Sequence, residues 1–249
     1  MRRYMIADLN RIKKRIPRLL LIAVTVIIIV IIEALVIGIS KDPLPGDTFN
    51  SGLKGGMGCC ACLFGLYEIN FVYGDAFKAK TIQKAIGNGI SRPKLICAAW
   101  LETILLLAID LLIATVFCSL VGFIGAPGYG IRHIAALLVY DFGSWFQIAA
   151  AAAVASIFFF ANQSIGVGVL VYLAVSLGLI SVLVRYGGAL LKLEKLHLES
   201  YELNQAANVF IARLELGSIH LQSMVIVLLY IILSYIVTVG LFGKRELDF

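Results

Sequence analysis

The chain has 249 residues, of which 61% are hydrophobic and only 14% are charged. Soluble domains contain roughly 45–50% apolar residues, so this composition and a mean hydropathy of +0.96 exclude an ordinary water-soluble fold. The formal net charge of +6 does not indicate a nucleic-acid-binding domain, because the basic residues flank apolar runs, where they set the orientation of membrane spans.

Residues 1–18 are predicted to form an amphipathic helix that lies in the membrane interface. Met5, Leu9, Ile12 and Ile16 recur at helical spacing, and Arg and Lys residues occupy the opposite side. Such a helix buries its apolar side and keeps its cations at the level of the lipid headgroups. Pro17 would break it before the chain enters the membrane. The alternative is that these residues are ordinary basic flanks of the first span.

Six apolar runs follow, each of about 20 residues, which is the length that a helix needs to cross a bilayer core of about 30 Å. In lipid, each backbone polar group must be satisfied within the membrane-spanning structure. The runs lack the alternation of apolar and polar residues that is typical of barrel strands, so they favour helices. The sequence therefore predicts an all-α integral membrane protein, a single membrane domain over 1–249. The six transmembrane helices are expected at 19–39, 53–73, 95–120, 133–159, 165–184 and 219–242.

A polar stretch, 75–94, joins the second and third predicted spans. Asp75 can cap a short helix there, and Ile82, Ala85 and Ile86 share one side of it. The sequence Gly87-Asn88-Gly89 is expected to end this helix, because glycine accepts the left-handed conformation of a helix C-cap. A short helix of this kind, apolar on one side and held under the membrane by two spans, is expected to dock into a groove on a soluble partner.

The longest polar stretch, 185–217, precedes the last span and is predicted to lie outside the cell. Its leucines interleave with charged residues, a pattern that is amphipathic but does not separate strand from helix.

Most Lys and Arg residues fall in the N-terminal segment, in 75–94 and at the C-terminus. Cytoplasmic flanks carry the excess of cations, so both termini and the 75–94 stretch are predicted to face the cytoplasm.

Three acidic residues interrupt predicted spans: Glu33, Asp110 and Asp141. At 1.5 Å per residue each is expected at a depth of roughly 20 Å. Ionisable groups within spans face a bundle interior, a water-filled cavity or a partner charge. They could form a negative ring that attracts cationic cargo, or they could be protonated, or pair with Lys54 or Arg132. Glu68 and Glu102 are expected to reach the interface by snorkelling.

The sequence contains no phosphate-binding Gly-x-x-x-x-Gly-Lys-Ser/Thr loop, no Gly-x-Ser-x-Gly elbow and no His-Glu-x-x-His pair. The three histidines are isolated near predicted span ends, which indicates interfacial anchoring. We therefore predict that the chain is not an enzyme, with no catalytic residue and no bound metal or cofactor. Packing is the favoured role for the cysteines, although the Cys-Cys-x-Cys cluster leaves a metal site open. All five fall inside predicted spans: Cys59, Cys60, Cys62, Cys97 and Cys118.

The stretch that runs Lys-x-Lys-Thr-Ile-x-x-x-Ile-Gly-Asn-Gly-Ile-Ser-Arg-x-Lys, from Lys78 to Lys94, resembles the loop after the second span of type-2 ATP-binding-cassette export permeases. The basic helix before span one, the six spans and the longer segment before span six are also similar to that family.

This resemblance implies that the loop is a coupling helix, which receives the motion of an ATPase subunit. Two permease copies, expected here as a homodimer, would pair with two ATPase subunits, which bind ATP and Mg²⁺. The resemblance also implies a bacterial plasma membrane and cargo such as antimicrobial or amphipathic peptides, including bacteriocins expelled by immunity pumps. The residues implied in the ATPase contact are Lys78, Thr81, Lys84, Gly87, Gly89, Ser91 and Arg92.

Two other functions are compatible with the sequence. One is an intramembrane enzyme acting on lipid or peptide, and the other is a membrane anchor or sensor that does not transport. Both would also be polytopic membrane proteins, so the composition does not separate them from a permease.

Overall fold

The computed structural model describes residues 45–78, 81–162, 164–190 and 198–243, together with positions 20, 23–25, 27, 28 and 31. No strand occurs in these ranges, so the predicted all-α class is confirmed there. The helices, numbered in chain order, are α1 Gly46–Lys78, α2 Thr81–Gly87, α3 Arg92–Gly125, α4 Ile131–Asn162, α5 Ile165–Ser176, α6 Leu179–Leu190, α7 Leu203–Glu215 and α8 Leu221–Gly243, with a 3-10 helix at Leu198–Tyr201.

Among the described residues, four helices are long and apolar enough to cross a membrane: Gly46–Gly74 within α1, and the whole of α3, α4 and α8. Helices α5 and α6 bend by 66° at Leu177-Gly178, and they make a fifth span if the bent pair is one broken span. Gly178 has a φ of +73°, a value that favours glycine. The predicted interfacial helix 1–18 and the span 19–39 lie almost entirely outside the described residues.

Helix α1 is longer at both ends than predicted. It begins at Gly46, and the Gly46 amide donates to the Pro127 carbonyl in the α3–α4 turn over 3.1 Å. It then continues through Asp75 to Lys78. The prediction that Asp75 caps the next helix is therefore wrong. The residues between Tyr73 and Lys78 include no proline, and the helix continues through the single Gly74 at modest cost.

The helices pack around α4, which contacts α1, α3, α5, α7 and α8. All five residues of its alanine run, Ala149–Ala153, are buried. Small side chains allow neighbouring helices to approach closely, so the alanine run is consistent with the position of α4 at the centre of the bundle. We call the end of the bundle where α1 begins the Gly46 side and the end where α3 begins the Arg92 side.

The snorkelling predicted for Glu68 and Glu102 is wrong, because these side chains are 0% and 3% exposed. Each lies ten residues from the helix end on the Arg92 side, counting from Lys78 and from Arg92. That separation is about 15 Å along a helix axis, and at that depth both carboxyl groups are enclosed by the bundle.

The predicted external segment 185–217 contributes α7, which packs into the bundle, and its location outside the cell stays a prediction. Its residues Leu203, Ala206, Ala207, Phe210 and Ile211 are buried. The Gln147 amide, near the middle of α4, donates to Asn204 Oδ1 over 2.9 Å. Helix α7 therefore begins at mid-depth in the bundle and runs toward the Gly46 side.

Candidate functional site

Helix α2 lies on the Arg92 side and ends as its glycines predict. Gly89 has a φ of +82°, its amide donates to the Ile86 carbonyl over 2.9 Å, and the Ile90 amide donates to the Ala85 carbonyl over 3.1 Å. This pair of bonds is the Schellman motif, which satisfies the last carbonyls of a helix. The predicted glycine cap is confirmed at Gly89.

The apolar side of α2 is covered by the chain itself. Ile82 and Ala85 are buried in the same core as α1 and α3. A soluble partner would therefore meet the exposed surface of α2 and not its apolar side, because two flanking helices hold α2 against the bundle. The partner contact itself stays a prediction. The exposed surface is polar and small, and we call it the α2 tip: Lys84, Gly87, Asn88, Gly89 and Ser91. The side chains of Lys78 and Thr81 lie outside the described part of the chain.

Arg92 joins two helix ends on the same side of the bundle. Its Nη1 donates to the carbonyls of Phe242 and Gly243, at 2.6 Å and 2.9 Å, and its guanidinium lies 5.4 Å from the centre of the Phe242 ring. A cation at a helix C-terminus is stabilised by the helix dipole and satisfies carbonyls that have no partner within the helix. Arg92 therefore ties the start of α3 to the end of α8.

We predict that Arg92→Ala lowers the free energy of unfolding by about 2 kcal/mol, because hydrogen bonds to a charged group contribute about 1.5–3 kcal/mol. Arg92→Lys should retain only part of this, since an ammonium group lacks the planar guanidinium that lies over the Phe242 ring. Lys94→Ala, at an exposed position two residues away, is the control. Thermal unfolding of the purified chain in detergent measures all three. Equal midpoints for Arg92→Ala and Lys94→Ala would contradict this role.

The three acids predicted to share one height do not form a ring among the described residues. Asp141 Oδ2 is hydrogen-bonded to the Thr115 hydroxyl, which lies five residues farther along α3 than Asp110. The two buried carboxyl groups are thus offset by about 7 Å along the helix axis. Glu33 lies outside the described residues. A cargo role for Glu33, Asp110 and Asp141 stays a prediction.

His133 lies in the first turn of α4 on the Gly46 side. Its Nδ1 accepts from the Gly130 amide over 3.0 Å, so in the neutral ring the proton is on Nε2, which lies 3.0 Å from Asp47 Oδ1. The ring also stacks on Tyr129, with centroids 5.0 Å apart. His133 therefore joins the starts of α1 and α4.

The cysteines are dispersed and none forms a disulfide. Cys118 contacts the Met57 sulfur at 3.9 Å, and the Cys62 thiol donates to the Ser176 hydroxyl over 3.3 Å. Within the ranges given above, no group of three or more His, Cys, Asp and Glu side chains is placed to hold a metal ion.

A polar cavity of about 170 Å³ lies between α1, α4, α5 and α7, in the half of the bundle toward the Gly46 side. Two glycines allow the helices around this cavity to pack closely. A Cβ added at Gly58 would lie 2.7 Å from the Tyr140 hydroxyl, and one added at Gly143 would lie 2.5 Å from Ile211. We call it the α4–α7 cavity. Its hydrogen-bonding side chains include Tyr140, Ser144, Gln147, Ser176, Asn208 and Glu215.

The cavity is held by polar contacts at both ends. At mid-depth, Asn204 Nδ2 donates to the Val175 carbonyl at the end of α5 over 2.5 Å, and Asn204 Oδ1 accepts from Gln147. Toward the Gly46 side, Lys54 Nζ and Glu215 Oε1 form an ion pair of 2.7 Å. One alternative for Glu33, Asp110 and Asp141 was an ion pair with Lys54, but the acid that pairs with Lys54 is Glu215 of α7.

Sequence analysis missed this cavity, although one signal was present. Tyr140, Ser144 and Gln147 are spaced i, i+4 and i+7 within a predicted apolar span, which places three hydrogen-bonding groups on one side of a helix. The partners of these groups on α1, α5 and α7 are far apart in the chain, and no local pattern connects them.

Comparison of the chain with protein-family models, curated proteins and solved structures finds no match.

Proposed function

We propose that this chain is the membrane-spanning permease subunit of a type-2 ATP-binding-cassette exporter. The observation that carries the proposal is the α2 tip, an exposed basic and glycine-rich surface on a short helix that packs against two long apolar helices. A partner that displaces this tip would move α1 and α3 together, because the apolar side of α2 is part of their shared core.

The Arg92 clamp supports the same proposal. Arg92 connects the segment that follows the α2 tip to the last turn of α8. A force on the tip would therefore reach a third membrane helix without passing through flexible chain. Rigid connections of this kind suit the transfer of motion between subunits.

In this proposal the chain has six spans, the first within 19–39, and lies in a bacterial plasma membrane with both termini and the Arg92 side in the cytoplasm. Two copies form a homodimer and bind two ATPase subunits, which hold ATP and Mg²⁺. The cargo is an antimicrobial or amphipathic peptide, and Glu33, Asp110 and Asp141 belong to its pathway.

We expect an ABC-type ATPase to co-purify with the tagged chain from its native cells, and to be lost from the Lys84→Glu variant. Reversal of the charge at the α2 tip would oppose an acidic docking surface, and like charges across an interface cost several kcal/mol. Arg132→Glu is the matched control, because Arg132 is exposed on the Gly46 side.

Mass spectrometry of the captured material identifies the ATPase. The proposal is wrong if no ATPase is captured with the unmodified chain, or if it is lost equally from Lys84→Glu and Arg132→Glu.

A further inference from the structure

The α4–α7 cavity is an unusual feature in a chain with this composition. Burial of hydrogen-bonding groups in an apolar surrounding without partners is costly, and a helix bundle would ordinarily fill such a space with apolar side chains. Here polar side chains from three helices, α4, α5 and α7, turn toward one space of about 170 Å³. Polar groups that converge in a cavity beside a broken span are typical of binding sites in membrane proteins.

The outer side of α7 indicates that this space is reached from water. Gln205, Asn208, Ala212 and Glu215 are exposed and recur at helical spacing. Lipid tails offer no partner to amide and carboxylate groups. This stripe therefore borders an aqueous cleft, and the cavity opens on it because Asn208, Ala212 and Glu215 also line the cavity.

The electrostatics of the cavity favour a cation. Among its described lining residues, Glu215 carries the formal charge, and the other polar groups are neutral hydroxyls, amides and a thiol. Ser176 brings the C-terminal end of α5 to the wall, and a helix C-terminus carries a partial negative charge. The N-terminal end of α7, which would bring positive charge, is capped by the Glu202 carboxylate, which accepts from the Gln205 amide over 2.9 Å.

We propose that the α4–α7 cavity binds one cationic side chain, a primary ammonium or a guanidinium, of a peptide, with Glu215 as its counter-ion. This inference rests on the proposed function for the identity of the peptide as cargo, but the cation preference of the cavity does not depend on the ATPase. In the structure, the Glu215 carboxylate is paired with Lys54, whose Nζ lies 2.7 Å from Oε1. The cation of a bound peptide replaces Lys54 as the partner of this carboxylate.

Cysteine reactivity in the full-length chain, purified in nanodiscs, tests the cation preference. The reporter is Ala212→Cys at the cavity mouth, in a background with Cys59, Cys62 and Cys97 changed to alanine, and the reference is Gly125→Cys at the same end of the bundle. We expect the ratio of reaction rates for a cationic and an anionic methanethiosulfonate reagent to be higher at the reporter than at the reference. The difference should reach about tenfold when Lys54→Met releases the Glu215 carboxylate from its ion pair, since a negative cleft concentrates cations by 10-fold or more.

Variants at the ion pair should then move this ratio in opposite directions. Glu215→Gln is expected to lower it about fivefold, whereas Lys54→Met should raise it because the carboxylate is released. Asp47→Asn removes a carboxylate on the same side of the bundle, away from the cavity, and should leave the ratio within about twofold. If the ion pair were purely structural, Glu215→Gln and Lys54→Met would both disturb the fold, and the ratio of reaction rates would change in the same direction in the two variants.

Protection by a peptide is the second measurement, and it needs no change at the ion pair. A lysine-rich amphipathic peptide should slow modification of Ala212→Cys, and the same peptide with acetylated lysines should not. Equal protection by both peptides, or a ratio unaffected by Glu215→Gln, would overturn the inference. Because neither measurement involves an ATPase, failure here and failure of the co-purification experiment are distinguishable.

Discussion

Gly168→Val is expected to destabilise the folded protein, whereas Gly166→Val, two residues earlier in α5, should be tolerated. A Cβ added at Gly168 would lie 2.6 Å from three ring atoms of Phe159 on α4, while one added at Gly166 meets nothing within 4 Å. Phe159 is fully buried and stacks on Tyr73 of α1, with centroids 4.9 Å apart. The ring therefore cannot move away without disturbing a third helix.

The expected cost of Gly168→Val is at least about 1–3 kcal/mol, the range for overpacking a close-packed core. Monodisperse yield after detergent extraction and the midpoint of thermal unfolding measure it. Both substitutions replace glycine with valine in the same apolar helix, so the side chain that is added is the same and only the buried Gly168 places it against Phe159. Similar yields for the two variants would mean that α5 does not pack on α4 through Gly168.

Asn204→Leu is expected to release α7 from the middle of the bundle. The substitution removes the hydrogen bonds to the Val175 carbonyl and from the Gln147 amide, and it leaves that amide facing an apolar side chain. Loss of a partner by a buried polar group costs about 1–3 kcal/mol, so we expect the free energy of unfolding to fall by about 2 kcal/mol. Gln205→Leu, at the next and exposed position, should have little effect.

Hydrogen exchange separates local release from general destabilisation. Amides of Leu203–Glu215 should exchange faster in Asn204→Leu, while those of α3, which is not bonded to Asn204, should change much less. Uniform acceleration in all helices would contradict a local role for Asn204. Unchanged exchange in α7 would show that apolar packing of Phe210 and Ile211 holds it without the polar contacts.

Helix α1 connects the two candidate sites within the described residues. Its end on the Arg92 side packs beside α2, and its Gly58, Ala61 and Cys62 form one wall of the α4–α7 cavity. If a partner displaces the α2 tip, as proposed, the same rigid helix would shift the cavity wall relative to α4. This arrangement gives the proposed ATPase contact a direct mechanical route to the proposed cation site.

The amino-acid sequence by itself determined the features that depend on local chemistry. Long apolar runs can satisfy their backbone only as helices in lipid, and the described helices α1, α3, α4 and α8 coincide with four of the six predicted spans, 53–73, 95–120, 133–159 and, from Leu221 onward, 219–242. The end of α2 was also predictable, because the left-handed residue of a C-cap favours glycine, and Gly89 provides it.

Only the tertiary structure decided which polar groups are inside the bundle. The leucines of 185–217 indicate an amphipathic segment, but an amphipathic pattern does not specify which other part of the protein packs against its apolar side. The insertion of α7 beside α4, the burial of Glu68 and the assembly of a cavity from Gly58, Tyr140 and Glu215 all depend on contacts between residues far apart in the chain. Helix packing creates these contacts, and the spacing of residues within a single segment does not predict them.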